Sequence, residues 1–160
     1  MTVLVMDAKV SSLRLELFAG AIIPLTAILI ITIFRFGLID GLLSATLFIV
    51  SLLAHEAGHA AMAQLTGTKF SAIGFCWKGA YIRRQRSWGI REFLISLSGP
   101  MVNILLAVAL WNAGGILTWL AQMNAILAVV NLVPFRGSDG QRIMSLARGW
   151  LSQLNSNTAA

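Results

Sequence analysis

Four long apolar runs divide the chain, each closed by a charged or turn-forming residue. Leu17–Phe34 closes at Arg35, and Leu42–Leu65 at a polar stretch opening on Thr66. Phe93–Trp111 closes ahead of Gly114-Gly115, and Ile116–Val133 at Pro134. Each is long enough, as a helix, to cross a hydrocarbon core about 30 Å thick. Pro24 is expected to kink the first helix. Asp40-Gly41 reads as the tight turn into the second. Ahead of these runs, Leu13, Leu15 and Leu17 alternate with polar residues, so Thr2–Leu15 is predicted to form one or two short strands or an interfacial segment. Between the second and third runs, Phe70–Trp77 and Ala80–Gln85 are predicted strands joined at Lys78-Gly79, a hairpin at the membrane surface. Phe135–Ser138 reads as irregular, Gly140–Leu154 as a short amphipathic or membrane-dipping helix, and Asn155–Ala160 as a loose tail. The predicted fold class is an all-α polytopic membrane protein with about four transmembrane helices and a small membrane-surface β-hairpin or sheet. No internal repeat or long linker interrupts the chain, so residues 1–160 are expected to form a single domain.

Composition removes the soluble alternative. The chain is 58% hydrophobic and 11% charged, against about 25% charged in an ordinary soluble domain. The net charge of +6 would suggest nucleic acid in a soluble protein. Here the basic residues flank apolar runs and act as topology signals and headgroup anchors, and no nucleic-acid partner is expected. Cys76 is the sole cysteine, which excludes an intrachain disulfide and a multi-cysteine metal site. The first run exceeds a signal-peptide core and lacks a small-x-small cleavage site, so it reads as a retained anchor. Lys9 and Arg14 precede the first run, six basic residues from Lys69 to Arg91 lie between the second and third, and Arg136, Arg142 and Arg148 follow the fourth. Both termini and the hairpin are therefore expected on the cytoplasmic side of a multi-pass protein.

The chemistry is concentrated at His55-Glu56-Ala57-Gly58-His59. Residues four apart share one helix face, so both imidazoles can reach a single metal. Glu56 can reach a water held on that metal without taking a ligand position. Two histidines and a carboxylate leave the fourth position of tetrahedral zinc open, which is the catalytic arrangement. These are the only histidines in the chain, and ionisable residues cost about 3 kcal/mol each inside a span. Small neighbours (Ala54, Ala57, Gly58, Ala60, Ala61, Ala63) admit other helices to the site and serve packing equally well. For the third ligand, Cys76 has no second cysteine beside it. Asp139 follows the break at Pro134, but Ser138 with Gln141 also fits a helix capping box, and spacing alone leaves both readings of Asp139 open. Ser98-Gly99-Pro100 reads as a packed kink, and Asn103 as an interhelical hydrogen-bonding residue.

Taken in order, His55-Glu56-Ala57-Gly58-His59, then Ser98-Gly99-Pro100 with Asn103, then Asn131-x-x-Pro134 with Asp139-Gly140, these motifs resemble those of the site-2 protease family of intramembrane zinc metalloproteases. The resemblance covers about residues 42–150, and it makes 17–38 an extra N-terminal transmembrane helix. It implies one zinc ion per chain held by His55, His59 and Asp139, with Glu56 as general base and Asn103 and Asn131 near the site as substrate-positioning residues. It implies a single-span membrane-protein substrate in the bilayer, extended along the hairpin strands. Many members carry a soluble regulatory domain. With 160 residues, substrate selection is expected to lie in the core or in a regulatory partner protein. A prokaryotic cell membrane is the expected setting. A catalytically silent adaptor on the same fold and a metal carrier are the competing functions. The retained Glu56 disfavours the first, and the absence of a repeat, with only two histidines, disfavours the second.

Overall fold

The computed structural model describes residues 8–10, 13–17, 21–76, 79–85 and 87–158. Strands β1 (Ala8–Val10) and β2 (Leu13–Leu17) precede helices α1 (Ile22–Phe36) and α2 (Leu38–Leu65). Strands β3 (Phe70–Cys76) and β4 (Gly79–Arg84) follow, and then α3 (Gly89–Leu110), α4 (Gly115–Leu132) and α5 (Asp139–Thr158). The strand positions expected before residue 8, and Lys78 in the expected hairpin turn, lie outside the described residues.

Three helices, α2, α3 and α4, are long and apolar enough to cross a membrane, and α1 is a shorter apolar helix. Its 15 residues rise about 22 Å at 1.5 Å each, less than a full crossing. It starts later than expected because the Leu13-x-Leu15-x-Leu17 alternation continues into β2. Pro24 falls in its first turn, where backbone N–H groups have no intrahelical acceptor, so it imposes no kink. The turn between α1 and α2 is also not Asp40-Gly41. Gly37 alone makes it, at φ +84°, and Asp40 lies in the first turn of α2, where its charge suits the helix dipole. Gly41 is freed for packing: a Cβ there would lie 2.5 Å from the Ile33 Cα of α1.

The bundle is built with small residues inside and large ones outside. Ala45, Ala60, Ala63, Ala107, Ala121 and Ala128 are buried, whereas Phe34 is 88% and Leu65 81% exposed. Water would penalise that arrangement, but lipid solvates the outer apolar surface, and close backbone approach provides the packing inside. Helix α3 is central, in contact with α2, α4 and α5. At Gly58 a Cβ would come within 2.9 Å of the Ser98 carbonyl of α3.

The surface sheet is larger than a hairpin. Its order is β1-β2-β3-β4, with β2 parallel to β3 and both other pairs antiparallel. The α1–α2 pair is the crossover between the two parallel strands, so it returns the chain to the side from which it left. Glu16, Gly74 and Tyr81 stand in register across three strands. Gly74 has no side chain, so the Tyr81 hydroxyl can donate to buried Glu16, which also pairs with Arg83 at 3.0 Å. At the other end of β4, Arg84 forms a two-pronged ion pair with Glu92 of α3, at 2.8 and 2.6 Å. The edge strand is thus tied to β2 and to α3. Finally, α5 extends to Thr158, through most of the expected loose tail.

The Gly41 crossing gives a stability prediction. Gly41→Ala forces α1 and α2 apart and should cost about 1–3 kcal/mol, the usual penalty of overpacking. Thermal unfolding in detergent measures it, and an unchanged midpoint would mean that the α1–α2 contact is dispensable.

Candidate metal centre

His55 and His59 lie one turn apart on α2, with ring centroids 4.7 Å apart and ring planes at 86°. Their Nε2 atoms approach to 3.1 Å. Oδ2 of Asp139, the first residue of α5, lies 3.4 Å from His55 Nε2 and 3.2 Å from His59 Nε2. Among the described residues these three form the group whose ligand atoms could hold a metal ion, all within 4.8 Å of one another, and all three are buried.

The opposite ring nitrogens show what these atoms offer. His59 Nδ1 lies 2.6 Å from the Ile95 carbonyl oxygen of α3. A carbonyl only accepts, so Nδ1 carries a hydrogen, and in the neutral ring Nε2 is then bare. His55 Nδ1 lies 2.5 Å from Oδ1 of Asn103. Asn103 and Asn124 are both fully buried, and Asn103 Nδ2 donates to Asn124 Oδ1 at 2.8 Å. When both rings are neutral, two imidazole lone pairs and a carboxylate oxygen therefore converge. That arrangement is repulsive unless a cation sits between.

Local sequence explains how each group arrives. Gly99 brings α3 against the histidines: a Cβ there would sit 2.3 Å from His59 Nε2 and 2.8 Å from His55 Nε2. The geometry at Asp139 is compatible with both readings open from its spacing. Ser138 Oγ accepts from the Gln141 N–H at 3.1 Å, and Gln141 Oε1 accepts from the Gly137 N–H at 2.7 Å, so the capped helix start itself aims Asp139 inward. Gly140 permits this, since a Cβ there would overlap the Leu132 carbonyl. Arg142 stands 3.7 Å from Asp139 Oδ1.

A cleft of about 560 Å³ opens on the triad. Glu56, Asn131 and Asn103 line it, with Tyr81 and Ile82 of β4 and Arg142 of α5. Glu56 is buried beside His55. Asn131 donates to the Leu127 carbonyl of its own helix at 3.0 Å. The Asn103 amide is engaged at both ends, by His55 and by Asn124. Sequence reasoning passed over Asn124; its signal was an amide inside a span that has no charged residue to accompany it.

No protein-family model matches the chain. The chain is 28% identical over 116 residues to a Synechocystis sp. protein that bears a zinc metalloprotease name, across 65% of this chain and 31% of that protein. It is 27% identical over 146 residues to a zinc metalloprotease of Methanocaldococcus jannaschii, across 85% of this chain and 43% of that protein. The chain thus spans less than half the length of either relative. Among solved structures, the site-2 protease from Methanocaldococcus jannaschii matches it with a TM-score of 0.71 at 24% identity, covering 91% of this chain and 70% of that one. The chain has the fold of the site-2 protease family. The resemblance carried by the three motifs is borne out in this fold and in the zinc metalloprotease relatives.

The contact at Gly99 gives a prediction for the centre. Gly99→Ala should weaken metal binding strongly, because the added methyl occupies the space of His59 Nε2. Titration of the purified protein with zinc or cobalt measures this, and wild-type affinity would show that α3 can withdraw from the histidines without consequence.

Proposed function

We propose that this chain is a zinc-dependent intramembrane endopeptidase that hydrolyses a peptide bond in or near the transmembrane segment of a membrane-protein substrate. One observation carries the reading. Ligand atoms about 2.0–2.2 Å from a tetrahedral zinc lie about 3.3–3.5 Å from one another. His55 Nε2, His59 Nε2 and Asp139 Oδ2 are separated by 3.1, 3.2 and 3.4 Å. The donor set is the one zinc takes in catalytic sites, with three protein ligands and an open fourth position. His55, His59 and Asp139 would hold one zinc per chain, and when bound it supplies Lewis acidity.

The remaining chemistry belongs to the side chains and the sheet. Glu56 faces the cleft next to His55 and acts as general base, taking the proton of the attacking water and delivering it to the leaving amide nitrogen. Strand β4 is an edge of the sheet, pairs with β3 and lines the cleft. An extended substrate segment adds to that edge, which matches the chemistry, because a helical peptide bond is shielded until the helix unwinds. Asn131 lies beside this path as a substrate-positioning residue. Asn103 acts through His55.

The same reading orders the whole molecule. Residues 1–160 form one catalytic unit, with 42–150 as its core and 17–38 as an additional N-terminal helix. The parallel pairing of β2 with β3 supports a common side for the N-terminal strands and the hairpin, and the excess of Lys and Arg there supports the cytoplasmic side. His59 lies within two turns of the end of α2 at Leu65, roughly 9 Å along the axis, so water enters from that side. The setting is a prokaryotic membrane, with a single-span substrate and a regulatory partner protein to select it.

Two variants test the reading together. Asp139→Asn should lose bound zinc in metal analysis of detergent-purified protein. Glu56→Gln should keep zinc while cleavage of single-span reporters in liposomes falls roughly 10²–10⁴-fold, the usual contribution of a general base. Wild-type cleavage by Glu56→Gln would exclude the mechanism, and a wild type without zinc after metal repletion would move the function to a silent adaptor.

A further inference from the structure

We propose that Asn124, supported by Ser51, is a positioning residue for the metal centre: acting through Asn103, it fixes the tautomer of His55 so that a bare Nε2 faces the metal. This rests on the metalloprotease reading above and assigns a role to two side chains outside the ligand set.

The two histidines are held in different ways. His59 Nδ1 meets the backbone carbonyl of Ile95 at 2.6 Å, an acceptor that cannot change character. His55 Nδ1 meets a side-chain amide. An amide offers an acceptor at one end and a donor at the other, and rotation by half a turn exchanges them. If Asn103 presented its NH2 group, His55 would have to accept at Nδ1 and carry its hydrogen on Nε2. That nitrogen could then no longer bind a metal. His55 therefore needs something to prevent Asn103 from turning over, and His59 does not.

Asn124 meets that need, and its own orientation is fixed twice. Its Nδ2 lies 2.9 Å from the Leu120 carbonyl and 3.1 Å from Ser51 Oγ. The carbonyl can only accept. Ser51 donates its hydroxyl to the Leu47 carbonyl at 3.1 Å, which leaves a lone pair toward Asn124. Both neighbours thus require a donor, so the atom between them is nitrogen. Asn124 Oδ1 then faces Asn103 Nδ2 at 2.8 Å, and Asn103 Oδ1 faces His55 Nδ1. The order of donors runs unbroken from a backbone carbonyl of α4 to the imidazole on α2. Asn103, Asn124 and Ser51 are all buried, where a mispaired amide is costly, so the polarity of the chain is enforced.

Two readouts test this in detergent-purified protein: the ¹⁵N spectrum of the histidine rings in the metal-free state, and zinc affinity by competition with a chelator. The chain has two histidines, so a His59 variant assigns the spectrum. Wild type should show His55 protonated at Nδ1. Asn124→Leu removes the acceptor for Asn103 and should shift His55 toward the Nε2–H form. Its zinc affinity should fall roughly 10–100-fold, the usual consequence of losing an outer-shell partner of a metal-bound histidine. Asn124→Asp keeps an oxygen that accepts from Asn103 in either protonation state, and should retain the Nδ1–H form and most of the affinity. Asn124→Ala, read in the same two ways, carries the test if the leucine variant does not fold. Wild-type tautomer and affinity in the leucine or alanine variant would overturn the proposal, as would equal losses in the aspartate and leucine variants, which would mark a packing effect. A wild type that binds no zinc would overturn the metal-centre reading itself, and the metal-free spectrum would still decide whether Asn124 sets the His55 tautomer.

Discussion

Three electron pairs held within 3.1–3.4 Å of one another are the constraint around which the chain is built. With both rings neutral and no cation between them these pairs repel, and all three groups are buried, which makes that repulsion costly. Each group must therefore be held from behind. Ile95 holds His59, Asn103 holds His55, and the capped start of α5 holds Asp139. Three elements, α2, α3 and α5, become mutually dependent through a space smaller than one side chain. The absence of a Cβ at Gly99 lets α3 stand close enough to contribute two of these supports without filling the space itself.

The same constraint explains the surface sheet. On the proposed protease reading, the substrate must be presented in an extended form beside the ligands, and β4 lines the cleft. An edge strand held by one neighbour would flex. Here Glu16 reaches Tyr81 across Gly74, and Arg84 grips Glu92 at the head of α3. Strand β4 is thus anchored to the helix that supports both histidines. The position of the edge and the position of the ligands are set by one helix.

The parts legible in the sequence were those whose physics is local. His55 and His59 declare a shared helix face by spacing alone, and the four apolar runs and Pro134 mark the helices to within a few residues. Distant relations were not legible. Nothing near Leu13–Leu17 indicates that it pairs in parallel with Ala72–Phe75, because the partner lies beyond two helices. Asp40-Gly41 looked like a turn because turns favour those residues, yet Gly37 makes the turn and Gly41 serves a backbone contact with Ile33. Asn124 was passed over for the same reason. An isolated amide in a span has an adequate explanation as interhelical glue, and only the identity of its partners reveals a direction.

Asp139 is the one proposed ligand that does not belong to the scaffold. His55 and His59 sit on a long helix buried among others, but Asp139 opens α5, after the chain has broken at Pro134 and crossed a polar turn at Arg136-Gly137-Ser138. A carboxylate at the first turn of a helix is stabilised by the dipole and by capping, so its geometry survives on local interactions alone. That permits the third ligand to lie at the polar margin of the bundle, where Arg142 also faces its second oxygen. The two histidines can then remain deep in an apolar surround while the side of the centre that, on the proposed reading, would admit water and an unwound peptide is formed by a polar turn. A third ligand on another spanning helix would have closed that side. Its location on α5 is what allows a buried candidate metal centre and an open cleft to coexist in this bundle.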